Sequence, residues 1–94
     1  MRYYFDIFDG DHWARDDMGA ECANDRRARH QAVLAITELA RELLPLDGPE
    51  KELTIRVRLK EAVAFSVRLV FETLSGPALT DSSVVHEQQS NWRV

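Results

Sequence analysis

Glu52-Leu53-Thr54-Ile55-Arg56-Val57-Arg58-Leu59 runs through Lys60-Glu61 into Ala62-Val63-Ala64-Phe65-Ser66-Val67-Arg68-Leu69-Val70-Phe71. The first run alternates without a break, placing Leu53, Ile55, Val57 and Leu59 on one face and Glu52, Thr54, Arg56 and Arg58 on the other. A period of two is the signature of a half-buried strand. The second run alternates again, with Val63, Phe65, Val67, Leu69 and Phe71 on one side and Ala64, Ser66, Arg68 and Val70 on the other. Two adjoining runs of similar length predict an antiparallel hairpin with Lys60-Glu61 at its tip. That tip has no Gly or Asn, so a longer or bulged turn is expected.

Upstream the period changes. From Asp25 to about Leu44, Ala28, Ala32, Ala35, Ile36, Leu39, Ala40, Leu43 and Leu44 recur at spacings of three and four, the stripe of an amphipathic helix. Asn24 suits the N-cap, and Asp25 places an anion where the helix dipole favours one. Pro45 and Asp47-Gly48-Pro49 end the segment. Arg26, Arg27 and Arg29 oppose the dipole, and Asp16 and Asp17 are the expected compensation.

The opening stretch, Arg2 to Phe8, is dense in aromatics: Tyr3, Phe5 and Ile7 fall on one face, Tyr4, Asp6 and Phe8 on the other. Aromatic residues on both faces predict an interior strand, or one with a face covered by a partner. Asp9-Gly10 is a turn, Asp11 to Arg15 a short returning strand with Trp13, and Asp16 to Gly19 a second turn before an extended piece around Glu21. The predicted fold is α+β, with elements in the order β-β-α-β-β and one long helix covering one face of a small antiparallel sheet. Residues 1–74 form the single domain. Residues 75–94 form a C-terminal extension, with Val84, Val85 and Trp92 as anchors, docked on the sheet or on a neighbouring subunit.

Size and composition narrow the function. Ninety-four residues, 45% hydrophobic and 30% charged, describe one small globular domain. No apolar run approaches the length of a membrane span, and no basic segment followed by an apolar one opens the chain. Cys22 is the only cysteine. It can form no internal disulfide, which fits a reducing, cytoplasmic setting. The net charge of −4 weighs against nucleic acid as the main partner, since phosphate recognition usually needs a basic surface.

Three groups of residues are candidate sites. Asp6, Asp9 and Asp11, with Asp16, Asp17 and Glu21 beyond them, are oxygen ligands of the type Mg²⁺ or Ca²⁺ takes, but their spacing fits no EF-hand loop. Turn chemistry explains them without a metal, and no cofactor is expected. His12, His30 and His86 form no spaced pair, and no phosphate loop or nucleophile elbow occurs. Arg56, Arg58 and Arg68 share the face away from the helix, with Tyr4 or Tyr3 nearby and Arg2 close. That row can be a solvated face, a weak platform for single-stranded nucleic acid, or a dimer interface, where Tyr and Arg are enriched. Tyr3, Tyr4, Arg56, Arg58, Arg68 and Trp92 are therefore the candidate interface residues. The reading is a non-enzymatic interaction or scaffold module, a homodimer with a possible protein partner. A nucleic-acid-binding or antitoxin-like module is the alternative, and a metal-dependent enzyme built on the acidic hairpin is a weaker one.

Arg2-Tyr3-Tyr4-Phe5-Asp6 followed by Asp9-Gly10, then Asp17-x-Gly19-x-Glu21 and an Ala- and Arg-rich helix, resembles a family of small proteobacterial proteins of unknown function. The resemblance spans about Met1 to Phe71 and implies no catalytic residues. A looser likeness, at the level of fold, is to the β-β-α antitoxin domains of the HicB type, which bind a toxin and often DNA.

Overall fold

The computed structural model describes residues 1–77. The extension from residue 78 onward, including Val84, Val85, His86 and Trp92, lies outside the described residues. Five strands and one helix follow one another as β1 (Arg2–Phe8), β2 (Trp13–Ala14), β3 (Ala20–Glu21), α1 (Asp25–Leu43), β4 (Glu50–Leu59) and β5 (Ala62–Glu72). The α+β class and the antiparallel sheet follow the alternation read from the sequence. The extended piece at Glu21 is a strand in its own right.

All pairings are antiparallel. β1 lies inside the sheet, between β4 on one side and the short β2 and β3 on the other. β4 separates β1 from β5, which forms the opposite edge. The β1–β4 register sets Tyr4 against Arg58 and Asp6 against Arg56. The β4–β5 hairpin closes over Lys60-Glu61, where Lys60 takes a left-handed φ of 58°, and a bulge shifts the register between Val57 and Arg58. Without a glycine at the tip, a lysine bears the positive φ, and the extra residue in β5 absorbs the mismatch.

Asn24 caps α1 by accepting the Arg27 N–H at 2.9 Å. The helix buries Ala28, Ala32, Ile36 and Ala40 against Tyr3 of β1 and Leu53, Ile55 and Val57 of β4. Alanines on the contact stripe let the helix approach the sheet closely, so the large side chains come from the strands. Phe65, Val67 and Leu69 of β5 pack at the margin of this core and stay half-buried. Among the described residues no helix is long and apolar enough to cross a membrane.

Candidate functional site

The face of the sheet turned away from α1 holds a fully buried carboxylate. Asp6 has no exposure, and Arg58 retains only 5%. Asp6 is the one charged residue within the apolar run of β1, and an ionised carboxylate can be buried only if it is paired and hydrogen-bonded. The register supplies its partners, since Arg56 lies directly opposite and Arg58 two residues further along β4. Arg58 Nε donates to Asp6 Oδ2 at 2.8 Å, Arg56 Nε donates to the same oxygen at 3.3 Å, and the Asp16 N–H donates to Oδ1 at 3.0 Å. Burial alone would raise the Asp6 pKa. The Arg58 hydrogen bond, the Asp16 N–H and the Arg58 charge outweigh it and hold the carboxyl below its ordinary 3.8.

Arg58 is fully committed. Its terminal nitrogens donate to the Asp16 and Lys60 carbonyls, and its guanidinium lies over the Tyr4 ring at 4.8 Å from the centroid. One side chain thus ties β1, the turn after β2 and the tip of the last hairpin together. Arg56 differs. It is 38% exposed as a side chain, and beyond its Nε contact its guanidinium lies 4.2 Å from the centroid of Trp13. Trp13 in turn packs on Phe8 at 5.3 Å between ring centroids.

Asp16 closes the gap between β2 and β3. The two short strands engage the ends of β1, and between them the Phe5 N–H faces no strand. Asp16 Oδ2 accepts that N–H at 2.9 Å, while Oδ1 accepts the N–H groups of Met18 and Gly19, both at 3.0 Å. A carboxylate therefore takes the place of a ladder residue. Burial opposes its ionisation, but these three N–H donors prevail and lower its pKa. Gly19 follows at a φ of 71°, and a Cβ there would stand 2.9 Å from the Tyr3 carbonyl oxygen, so both the turn and the close approach call for glycine. Asp9 works in the same way, accepting the N–H groups of Asp11 and His12, which lower its pKa.

The acidic segment is therefore placed as turn and edge chemistry. Asp6 faces two guanidiniums, Asp9 its own turn, and Asp11 is exposed. Among the described residues no three His, Cys, Asp or Glu side chains are grouped to hold a metal ion. Cys22 is buried in the core.

The arginine row expected from alternation is divided. Arg58 is buried, Arg56 half-used, and Arg68 is exposed and pairs with Glu52 at 3.3 Å. Arg2 lies apart from all three, against Glu21 and the Met18 carbonyl. Tyr3, expected at an interface, is a core residue with 1% exposure, and its hydroxyl donates to Asp25 Oδ1 at 2.7 Å in the first turn of α1. That bond, with burial behind it, pushes the phenol up to about 12. Tyr4 is the tyrosine that joins the arginine face. Asp16 and Asp17, expected to offset the basic start of α1, are engaged elsewhere, Asp17 with Arg15 at 3.7 Å. Trp13 was placed only on its strand and Asp16 only among the acidic residues, and neither was expected as a partner of this face. The signal for them was Asp6 itself, an acid in an interior strand that needed partners from outside it.

Residues 2–70 match the model of one protein family, described as a domain of unknown function, DUF6894. No curated protein and no solved structure matches the chain.

Proposed function

Since the chain belongs to the DUF6894 family, whose function is unknown, we propose that it is a non-enzymatic interaction module that works as a homodimer through the outer edge of β5. The observation that carries this reading is the edge itself. β5 is eleven residues long, contains neither Pro nor Gly, and pairs on one side only among the described residues. Free strand edges of that length invite pairing, and proteins usually blunt them with charges, proline or a covering segment. β5 carries only Arg68 and Glu72 as charges, and Val63 and Val70 are more than half exposed.

A second copy fits this edge. In an antiparallel pair, opposed residues share a face, so a two-fold axis must pass through a residue and not between two. An axis at Arg68 would oppose like charges, which is unfavourable. An axis at Val67 or Leu69 sets Arg68 against Ser66 or Val70 of the second copy, and the row Phe65, Val67, Leu69 then continues across the junction. The opposite edge of the sheet offers no such site, because β2, β3 and Asp16 occupy it. A cytoplasmic setting belongs to the same reading, supported by the single thiol.

Sedimentation equilibrium of the full chain at micromolar concentration tests the proposal. A dimer is expected, and Val67→Lys for an axis at Val67, or Leu69→Lys for an axis at Leu69, should give a monomer with an unchanged far-ultraviolet spectrum, because it brings like charges to the axis. Hydrogen exchange should show β5 amides losing protection on dilution. A wild-type chain that stays monomeric overturns the reading, as does a dimer indifferent to both Val67→Lys and Leu69→Lys.

A further inference from the structure

We propose that the groove across the open face, between Trp13 and Arg68, binds an extended peptide segment by one carboxylate, received by the Arg56 guanidinium. Phe8 and Trp13 form its apolar wall, with Thr54, Arg56 and Ser66 on its floor and Arg68 on the far side. This inference stands apart from the β5 dimer, since it concerns side chains on one face and not the strand edge.

Arg56 is built as a receptor group. Its Nε is held by Asp6 at 3.3 Å and its plane by Trp13 at 4.2 Å, so the rotamer is fixed before any ligand arrives. Its two terminal nitrogens have no hydrogen-bond partner among the described residues. Charge points the same way. A single carboxylate, Asp6, serves two guanidiniums, and Arg58 holds the shorter contact at 2.8 Å against 3.3 Å for Arg56. Arg56 is left with incompletely matched charge in a half-buried position. The paired terminal N–H groups of a planar guanidinium match the two oxygens of a carboxylate.

The surroundings choose the ligand. Ser66 lies opposite Arg56 and Thr54 opposite Arg68, and neither hydroxyl is engaged among the described residues. They can serve the backbone or polar side chains of an extended segment. Trp13 is 47% exposed and offers an apolar surface to the residue next to the acid. A polyanion fits poorly, because Glu52 lines both the groove and a neighbouring hollow with Asp11, Glu50 and Glu72, where Lys51 is taken up by Asp47 at 3.1 Å. One acid flanked by apolar residues meets both the unmatched arginine and the acidic margin.

The test uses the full chain carrying Trp92→Phe, which leaves Trp13 as the only tryptophan, since the sequence has two. Its fluorescence is followed during titration with acetyl-Leu-Glu-Leu-amide, with the Gln counterpart, and with an oligothymidylate. A saturable change is expected for the Glu peptide, with binding roughly tenfold weaker for the Gln peptide, as loss of a charge-assisted hydrogen bond implies. Arg56→Gln should remove that preference while the far-ultraviolet spectrum is kept. The Glu-against-Gln comparison is made on the same protein, so it stands even if Arg56→Gln loosens the fold. Equal response to the two peptides, no saturable response to either, or tighter binding of the oligothymidylate overturns the proposal.

Discussion

The two edges of this sheet meet the same problem in opposite ways. At the β1 edge, two strands of two residues each hold the ends of β1, and the Asp16 carboxylate fills the space between them. At the β5 edge, eleven residues face outward with nothing among the described residues against them. Of the acidic residues that suggested a metal loop, Asp6 pairs with two guanidiniums and Asp9 holds its own turn, while Asp16 completes the edge. The proposed dimer edge lies on the side that the acidic segment from Asp6 to Asp16 does not reach, whereas the proposed groove takes Phe8 and Trp13 from within it.

The sharpest way to break this contrast is to remove Asp6. Asp6→Ala leaves Arg58 buried without its partner, and should destabilise the fold by about 3–5 kcal/mol, read from denaturant midpoints at constant slope. Arg58→Met added to Asp6→Ala should recover only part of that loss, because the unpaired buried charge is gone but the Asp16 N–H and the Asp16 and Lys60 carbonyls lose their partners. A smaller effect is expected from Asp16→Ala, which orphans the Phe5 N–H and frees the turn at Met18 and Gly19. It should cost about 1–3 kcal/mol, whereas Val70→Thr on the open edge should stay within about 0.5 kcal/mol of wild type in a monomeric background.

Acidity separates the edges further. The carboxyls of Asp6, Asp9 and Asp16 titrate below their ordinary 3.8 in the folded chain. Their contribution is thus complete above that pH and is lost as pH falls through the lowered values. Urea titrations between neutral pH and pH 2 should show the decline, and Asp16→Asn should flatten it. The smallest effect lies at the alkaline end. Tyr3 moves from 10.0 to about 12 in the folded chain, so its contribution is present below pH 10 and is lost as pH rises towards 12. Tyr3→Phe should differ from wild type by an amount that shrinks across that window.

Much of the fold was legible because it rests on period alone. Alternation in β4 and β5, the three-and-four spacing of α1 and the cap at Asn24 all act within a few residues of one another. The candidate site was legible only in part. Alternation correctly put Arg56, Arg58 and Arg68 on one face, yet it could not say that Asp6 would come to rest between two of them. That depends on the register of β1 against β4, across some fifty residues, which no local pattern encodes. Tyr3 was misplaced for a related reason. A tyrosine near an arginine face resembles an interface residue, but here its hydroxyl finds Asp25 at the helix start and the ring can be buried whole.

The Asp6–Arg58 pair, which spans 52 residues of chain, also bears on the order of assembly. The last hairpin, the helix and the pairings of β1 with β2 and β3 can form from near neighbours, whereas β1 meets β4 only across some fifty residues. By that separation β1 is expected to join β4 late. Until it does, the carboxylate that the finished fold encloses stays in water, and the hairpin shows two unblunted edges in place of one.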